Sequence, residues 1–167
     1  DCAWLQVRAR DQSITGWVSG DARYVDLRQS CESLPLGTYR PFTGVVRPNE
    51  RGGGYGELVV DNRTSNDGVA ILMFNEEPVV AMYIRAGETY TLKGIRDGTY
   101  YLYFTTGSAW NGKKFTVSPG YKRFEEACDY VTGATTYTTW SVTLHGVIGG
   151  NASAEQIDAT EFPDLDQ

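Results

Sequence analysis

From Glu57 to Val147, turn-forming residues interrupt the chain about every ten residues. That spacing constrains the fold more than any other feature. It leaves Glu57–Asp61, Val69–Phe74, Pro78–Arg85, Thr89–Lys93, Thr99–Thr106, Phe115–Val117, Tyr121–Val131 and Tyr137–Val147 as separate short segments. Asn66-Asp67-Gly68 reads as a hairpin signal, and Gly87-Glu88 and Asp97-Gly98 as further turns. Segments of this length, rich in Val, Thr and Tyr, predict strands. Phe124–Val131 is the one helix candidate. The expected fold class is all-β, with an antiparallel β-sandwich over residues 57–150.

The two-residue period assigns faces. Val69–Phe74 is apolar on both sides and reads as a buried central strand. Tyr100, Leu102 and Phe104 share a core face, while Tyr101 and Tyr103 share the opposite one. Trp140, Val142 and Leu144 also fall on one face.

The formal net charge is −6. No Lys or Arg follows Arg123, although eight Asp and Glu residues do. This balance argues against nucleic acid as a partner, since phosphate recognition needs a basic face. It argues equally against an anionic membrane surface. No apolar run is long enough to span a bilayer, so no membrane insertion is expected.

Three cysteines are present. Cys2 and Cys31 bracket one segment and read as a disulfide, which implies an oxidising compartment; the alternative is two buried thiols. Cys128 reads as a buried thiol or an intermolecular bridge. The absence of Cys-x-x-Cys and the single His argue against zinc.

Trp4-Leu5-Gln6-Val7, Gly16-Trp17-Val18 and Tyr24-Val25-Asp26-Leu27 follow one another near the N-terminus. This series resembles the C-terminal half of a bacterial SH3 domain. The resemblance implies a partial SH3-like barrel and attachment to a ligand or cell wall. The other half of the barrel is not in this chain, so upstream sequence or another strand is expected to complete the sheet. Farther on, Ile84-Arg85-Ala86-Gly87-Glu88-Thr89-Tyr90-Thr91-Leu92 precedes Gly94-Ile95-Arg96-Asp97-Gly98-Thr99-Tyr100. This cadence resembles prealbumin-like and carboxypeptidase-regulatory-like β-sandwiches, and uncharacterised bacterial surface proteins with a turn like Gly107–Asn111. Those resemblances imply structural or binding roles, and no motif residue of those families carries chemistry that transfers here; no cofactor is expected. The expected organisation is a partial SH3-like segment at 1–36, a linker at 37–56, a β-sandwich at 57–150 and an acidic tail at 151–167. In that tail, Ile157, Phe162 and Leu165 offer apolar anchors.

The candidates for catalysis are few. Any His-dependent triad must use His145, and Ser141 lies roughly 13 Å from it along an extended strand, too far for a nucleophile–base contact. Glu76-Glu77 could serve glycoside hydrolysis but sits in a connection before Pro78, where charges are usually solvated. Asp61, Asn62, Asn66, Asp67 and Gly68 offer oxygens for calcium without the EF-hand spacing, and Asx-turn bonding explains the same residues. No catalytic residue and no metal ligand is assigned.

Trp110, Tyr101 and Tyr103 are the ligand-binding candidates, as rings on which sugars stack. Asn62 and Asn151 match the glycosylation pattern. The expectation is a non-enzymatic extracellular or cell-surface β protein with a structural or adhesive role. It is expected to form a homo-oligomer or polymer through exposed strand edges. The alternative is a carbohydrate-binding module, with polysaccharide as partner, in a larger cell-wall protein.

Overall fold

The computed structural model describes residues 4–8, 15–19, 40–144 and 153–165. The chain divides into two compact units, Asp1–Tyr39 and Arg40–Gln167. In the first unit, β1 (Trp4–Arg8) pairs antiparallel with β2 (Thr15–Ser19).

The second unit is all-β, with a larger and a smaller sheet. Its strands are β3 (Gly44–Arg47), β4 (Gly56–Asp61), β5 (Asp67–Phe74), β6 (Glu77–Ile84), β7 (Thr89–Ile95), β8 (Gly98–Trp110), β9 (Phe115–Phe124), β10 (Cys128–Tyr130), β11 (Thr139–Thr143) and β12 (Ala154–Gln156). The larger, seven-stranded sheet runs in the order β12-β9-β8-β5-β6-β3, with β10 added beside β8; every pairing in it is antiparallel. The smaller sheet has the order β11-β4-β7.

The helix candidate Phe124–Val131 is corrected: it closes β9 and forms β10, with Cys128 and Tyr130 buried and Asp129 exposed, a two-residue period. The expected hairpin at Asn66-Asp67-Gly68 is also corrected. β4 pairs with β7, whereas β5 pairs with β6 and β8, so residues 62–66 carry the chain from one sheet to the other. The smaller sheet is not wholly antiparallel, because β11 runs parallel to β4. β3 lies inside the stretch read as a linker and pairs with β6.

Side chains from both sheets meet in one core. Leu58, Val60, Leu92, Ile95 and Val142 come from the smaller sheet; Ala70, Leu72, Met82, Ile84, Tyr100, Leu102 and Phe104 come from the larger one. The outer face of the larger sheet carries a second apolar layer. Val69, Ile71, Met73, Ala81 and Tyr83 point into it, and Trp110 and Phe115 from β8 and β9 cover them. Two apolar layers explain why Val69–Phe74 carries apolar residues at every position.

Asp67 ties the start of this unit to the outer layer. Its carboxylate accepts two bonds from the Arg40 guanidinium (2.7 and 2.8 Å), one from the Tyr83 hydroxyl (2.6 Å) and one from the Ala86 amide (2.9 Å). Burial pushes its pKa up, but the bonds from Arg40, Tyr83 and Ala86 outweigh burial and lower it from 3.8 to about 2. A depressed carboxylate stabilises the fold above its unfolded pKa, and that contribution is lost as pH falls through the folded value. Asp67→Asn is therefore expected to lower stability by about 1–2 kcal/mol at pH 7, allowing for solvent around Arg40. The deficit shrinks between pH 4 and pH 2, as urea unfolding midpoints measured across that range will show.

The disulfide expectation is corrected too. Among the described residues there is no disulfide, and Cys128 is a free, buried thiol. Cys2 and Cys31 lie outside the described residues. Burial first, then Asp129 and Glu126, raise the Cys128 pKa to about 11, which makes it a poor nucleophile. Among the described residues no helix is long and apolar enough to cross a membrane.

Candidate functional site

On the outer face of the seven-stranded sheet lies an open groove of about 1110 Å³. Its floor is the outward face of β8 and β9. Tyr101, Tyr103 and Thr105 alternate along β8, while Tyr121 and Arg123 stand opposite Thr105 and Tyr103 on β9. The β8–β9 turn supplies one wall with Asn111, Lys113 and Lys114. Asn111 shapes this turn, since its side-chain oxygen accepts from the amides of Lys113 (3.0 Å) and Lys114 (2.9 Å). The β5–β6 turn supplies Asn75 and Glu76, both at positive φ (50° and 67°), as a two-residue type I′ hairpin turn demands.

The other wall is the C-terminal strap. β12 adds to the edge of β9, and the Ile157 amide donates to the Tyr121 carbonyl (3.1 Å). The chain then crosses the face of the sheet. Phe162 packs against Tyr103 (ring centroids 6.4 Å apart) and Tyr121 (5.1 Å). At the far edge, Arg47 of β3 donates to the Leu165 carbonyl (3.1 Å). The tail's apolar residues thus anchor it to its own unit, with Ile157 buried and Phe162 and Leu165 packed on the outer layer.

Charge in the groove is balanced. Among the described residues that line it are Lys113, Lys114 and Arg123 and also Glu76, Glu161 and Asp164, three cations to three carboxylates. Arg123 is further paired with Glu155 at 3.2 Å. Such a lining favours a neutral, polar ligand over a polyanion or polycation.

Of the ring candidates, Tyr101 is 47% exposed and Tyr103 is half-buried, and both line the groove. Trp110 is corrected. It ends β8 rather than sitting in a loop, is buried, and packs edge-on against Phe115 (5.0 Å) and Tyr83 (5.8 Å). Its glycine-flanked position gave no sign that the hairpin folds back over an apolar sheet face. The sequence marks Phe162 only as an apolar anchor and does not mark Tyr121 as its seat, because their partnership depends on a tail crossing the sheet.

Glu76 and Glu77 are exposed at the β5–β6 turn. Ser141 is an exposed residue of β11, and His145 lies outside the described residues. Asn62 is corrected as a glycosylation site in the folded chain. Its amide nitrogen is buried and donates to the carbonyls of Asn66 and Ile84, both at 2.9 Å. Its side-chain oxygen accepts from Thr64 in an Asx turn. Asn151 lies outside the described residues. Asp61 is engaged by Arg63 and Thr89, and Asp67 by Arg40, Tyr83 and Ala86. Among the described residues, no three His, Cys, Asp or Glu side chains gather as metal ligands do.

Comparison with family models, with curated proteins and with solved structures finds no match to this chain.

Proposed function

We propose that this chain is a carbohydrate-binding module of an extracellular or cell-surface protein, acting by binding rather than by turnover. Its ligand is a neutral glycan lying along the outer groove. One observation carries this reading: Tyr101 and Tyr103 present adjacent rings on one strand face, inside a groove whose charges cancel. The flat apolar face of a pyranose packs on such rings, while its hydroxyls meet the Lys, Asn and Glu side chains at the walls. The resemblance of residues 4–27 to half of a bacterial SH3 domain supports the same class of role. In this reading the two sheets of the second unit are the layers of a β-sandwich, supported by their common core.

Titration calorimetry with cellohexaose, maltohexaose and chitohexaose tests the reading. Tyr101→Ala is expected to weaken binding about tenfold, the equivalent of about 1.4 kcal/mol. Because Tyr101 is exposed, the fold should be unaffected. Unchanged affinity would remove the ring platform from the site.

A second reading, assembly by strand addition, is favoured by the β3 edge of the larger sheet. Val45 and Val46 are 42% and 38% exposed there, and an apolar edge strand is a template for another chain. Sedimentation velocity should then show concentration-dependent oligomers that Val46→Lys disperses. A monomer at every concentration would contradict it.

A further inference from the structure

Thr105 is 2% exposed, and among the described residues its hydroxyl has no hydrogen-bond partner. Buried hydroxyls are nearly always bonded, so this exception calls for a physical reason. Thr105 shares the groove face of β8 with Tyr101 and Tyr103, and its cross-strand neighbour is Tyr121. The two tyrosines that flank it, Tyr103 and Tyr121, are the pair on which Phe162 rests. The floor of the groove thus holds two rings and one unmet hydroxyl, and the side chain above them comes from the strap.

We infer that the glycan groove continues beneath the strap, where Tyr103, Tyr121 and Thr105 form a second sugar subsite that Phe162 occupies until a sugar ring displaces it. The inference rests on the glycan reading of the groove. A phenyl ring and a pyranose present similar flat faces to the tyrosines, but only the sugar carries a hydroxyl that can bond to Thr105. Exchanging one for the other keeps the ring contact and satisfies the buried group. The strap is built to allow this exchange. Its ends are held at opposite edges of the sheet, by β12 on β9 and by Arg47 on Leu165, and the contacts of Phe162 lie between them.

The experiment is titration of the full chain with the same three hexasaccharides. Phe162→Ala removes the competitor and is expected to tighten binding about tenfold. Adding Thr105→Val, which keeps shape and deletes the hydroxyl, should cancel most of that gain. Hydrogen exchange on the wild-type chain reads the same event without a variant. With sugar bound, the amides of residues 159–162 should exchange faster, while the Ile157 amide, bonded to Tyr121, stays protected. Unchanged or weaker binding by Phe162→Ala overturns the inference, as does added protection of 159–162 on binding. If wild type binds and Tyr101→Ala does not, yet Phe162→Ala is indifferent, only the subsite beneath the strap falls. If neither wild type nor Phe162→Ala binds any of the three sugars, the glycan reading falls and takes this inference with it.

Discussion

Tyr83→Ala is expected to cost about 4 kcal/mol, a large share of the 5–15 kcal/mol that holds an ordinary domain together. Tyr83 is 1% exposed and stands at the centre of the outer apolar layer. Its ring meets Trp110 at 5.8 Å and Phe115 at 6.0 Å, so truncation opens a cavity beneath the folded-back β8–β9 hairpin. It also deprives Asp67 of one of its donors. Tyr83→Phe separates the two contributions, since it keeps the ring and loses only the hydroxyl, at a cost of about 1–2 kcal/mol. Urea unfolding of both variants checks the argument. Equal losses in the two would mean that the outer face is not packed as a core.

Gly54→Ala is expected to cost about 3 kcal/mol, the upper end of what overpacking usually does. A Cβ at residue 54 would lie 2.1 Å from the Ile95 carbonyl oxygen and 2.5 Å from the Arg96 nitrogen and Cα. All three are backbone atoms, so no side chain can swing away; the loop or the end of β7 must move. The Gly54 amide bond to the Gly94 carbonyl (3.0 Å) would be strained with it. Gly120→Ala is the control, because its Cβ would meet nothing nearer than the Thr106 hydroxyl at 3.7 Å, and its cost should stay within about 0.5 kcal/mol. Thermal unfolding of the pair decides the point, and similar midpoints would contradict the close seat of residues 53–54 on β7.

The same glycine shows what the sequence conceals. Gly52-Gly53-Gly54 reads as a break in regular structure, and it is one, but chain order does not reveal that Gly54 lies against the backbone of β7. Local periodicity was legible wherever one strand has one wet and one dry face. Tyr100, Leu102 and Phe104 are buried and Tyr101 is exposed, as alternation along β8 requires. The double burial of Val69–Phe74 was legible too, but not its cause, which is a hairpin and a tail arriving from elsewhere in the chain. Strand partners were the least legible. An Asn-Asp-Gly turn commonly joins paired strands, yet here Asn62 and Asp67 use their side chains to bond the backbone and Arg40, and the chain passes between sheets. Half of the aromatic site could be read from β8 alone. Phe162 could be read only as an apolar anchor of the tail and Tyr121 not as its seat, because nothing local announces that residues 157–165 cross the sheet.

Proton NMR of the tyrosine and phenylalanine rings during titration with a bound hexasaccharide tests the central claim most directly. The account predicts that the ring signals of Tyr101 and Tyr103 move with saturation, while those of Tyr55 and Tyr137, 69% and 50% exposed and outside the groove, stay in place. Movement of Tyr55 or Tyr137 with Tyr101 and Tyr103 unmoved would contradict it and put the binding surface elsewhere.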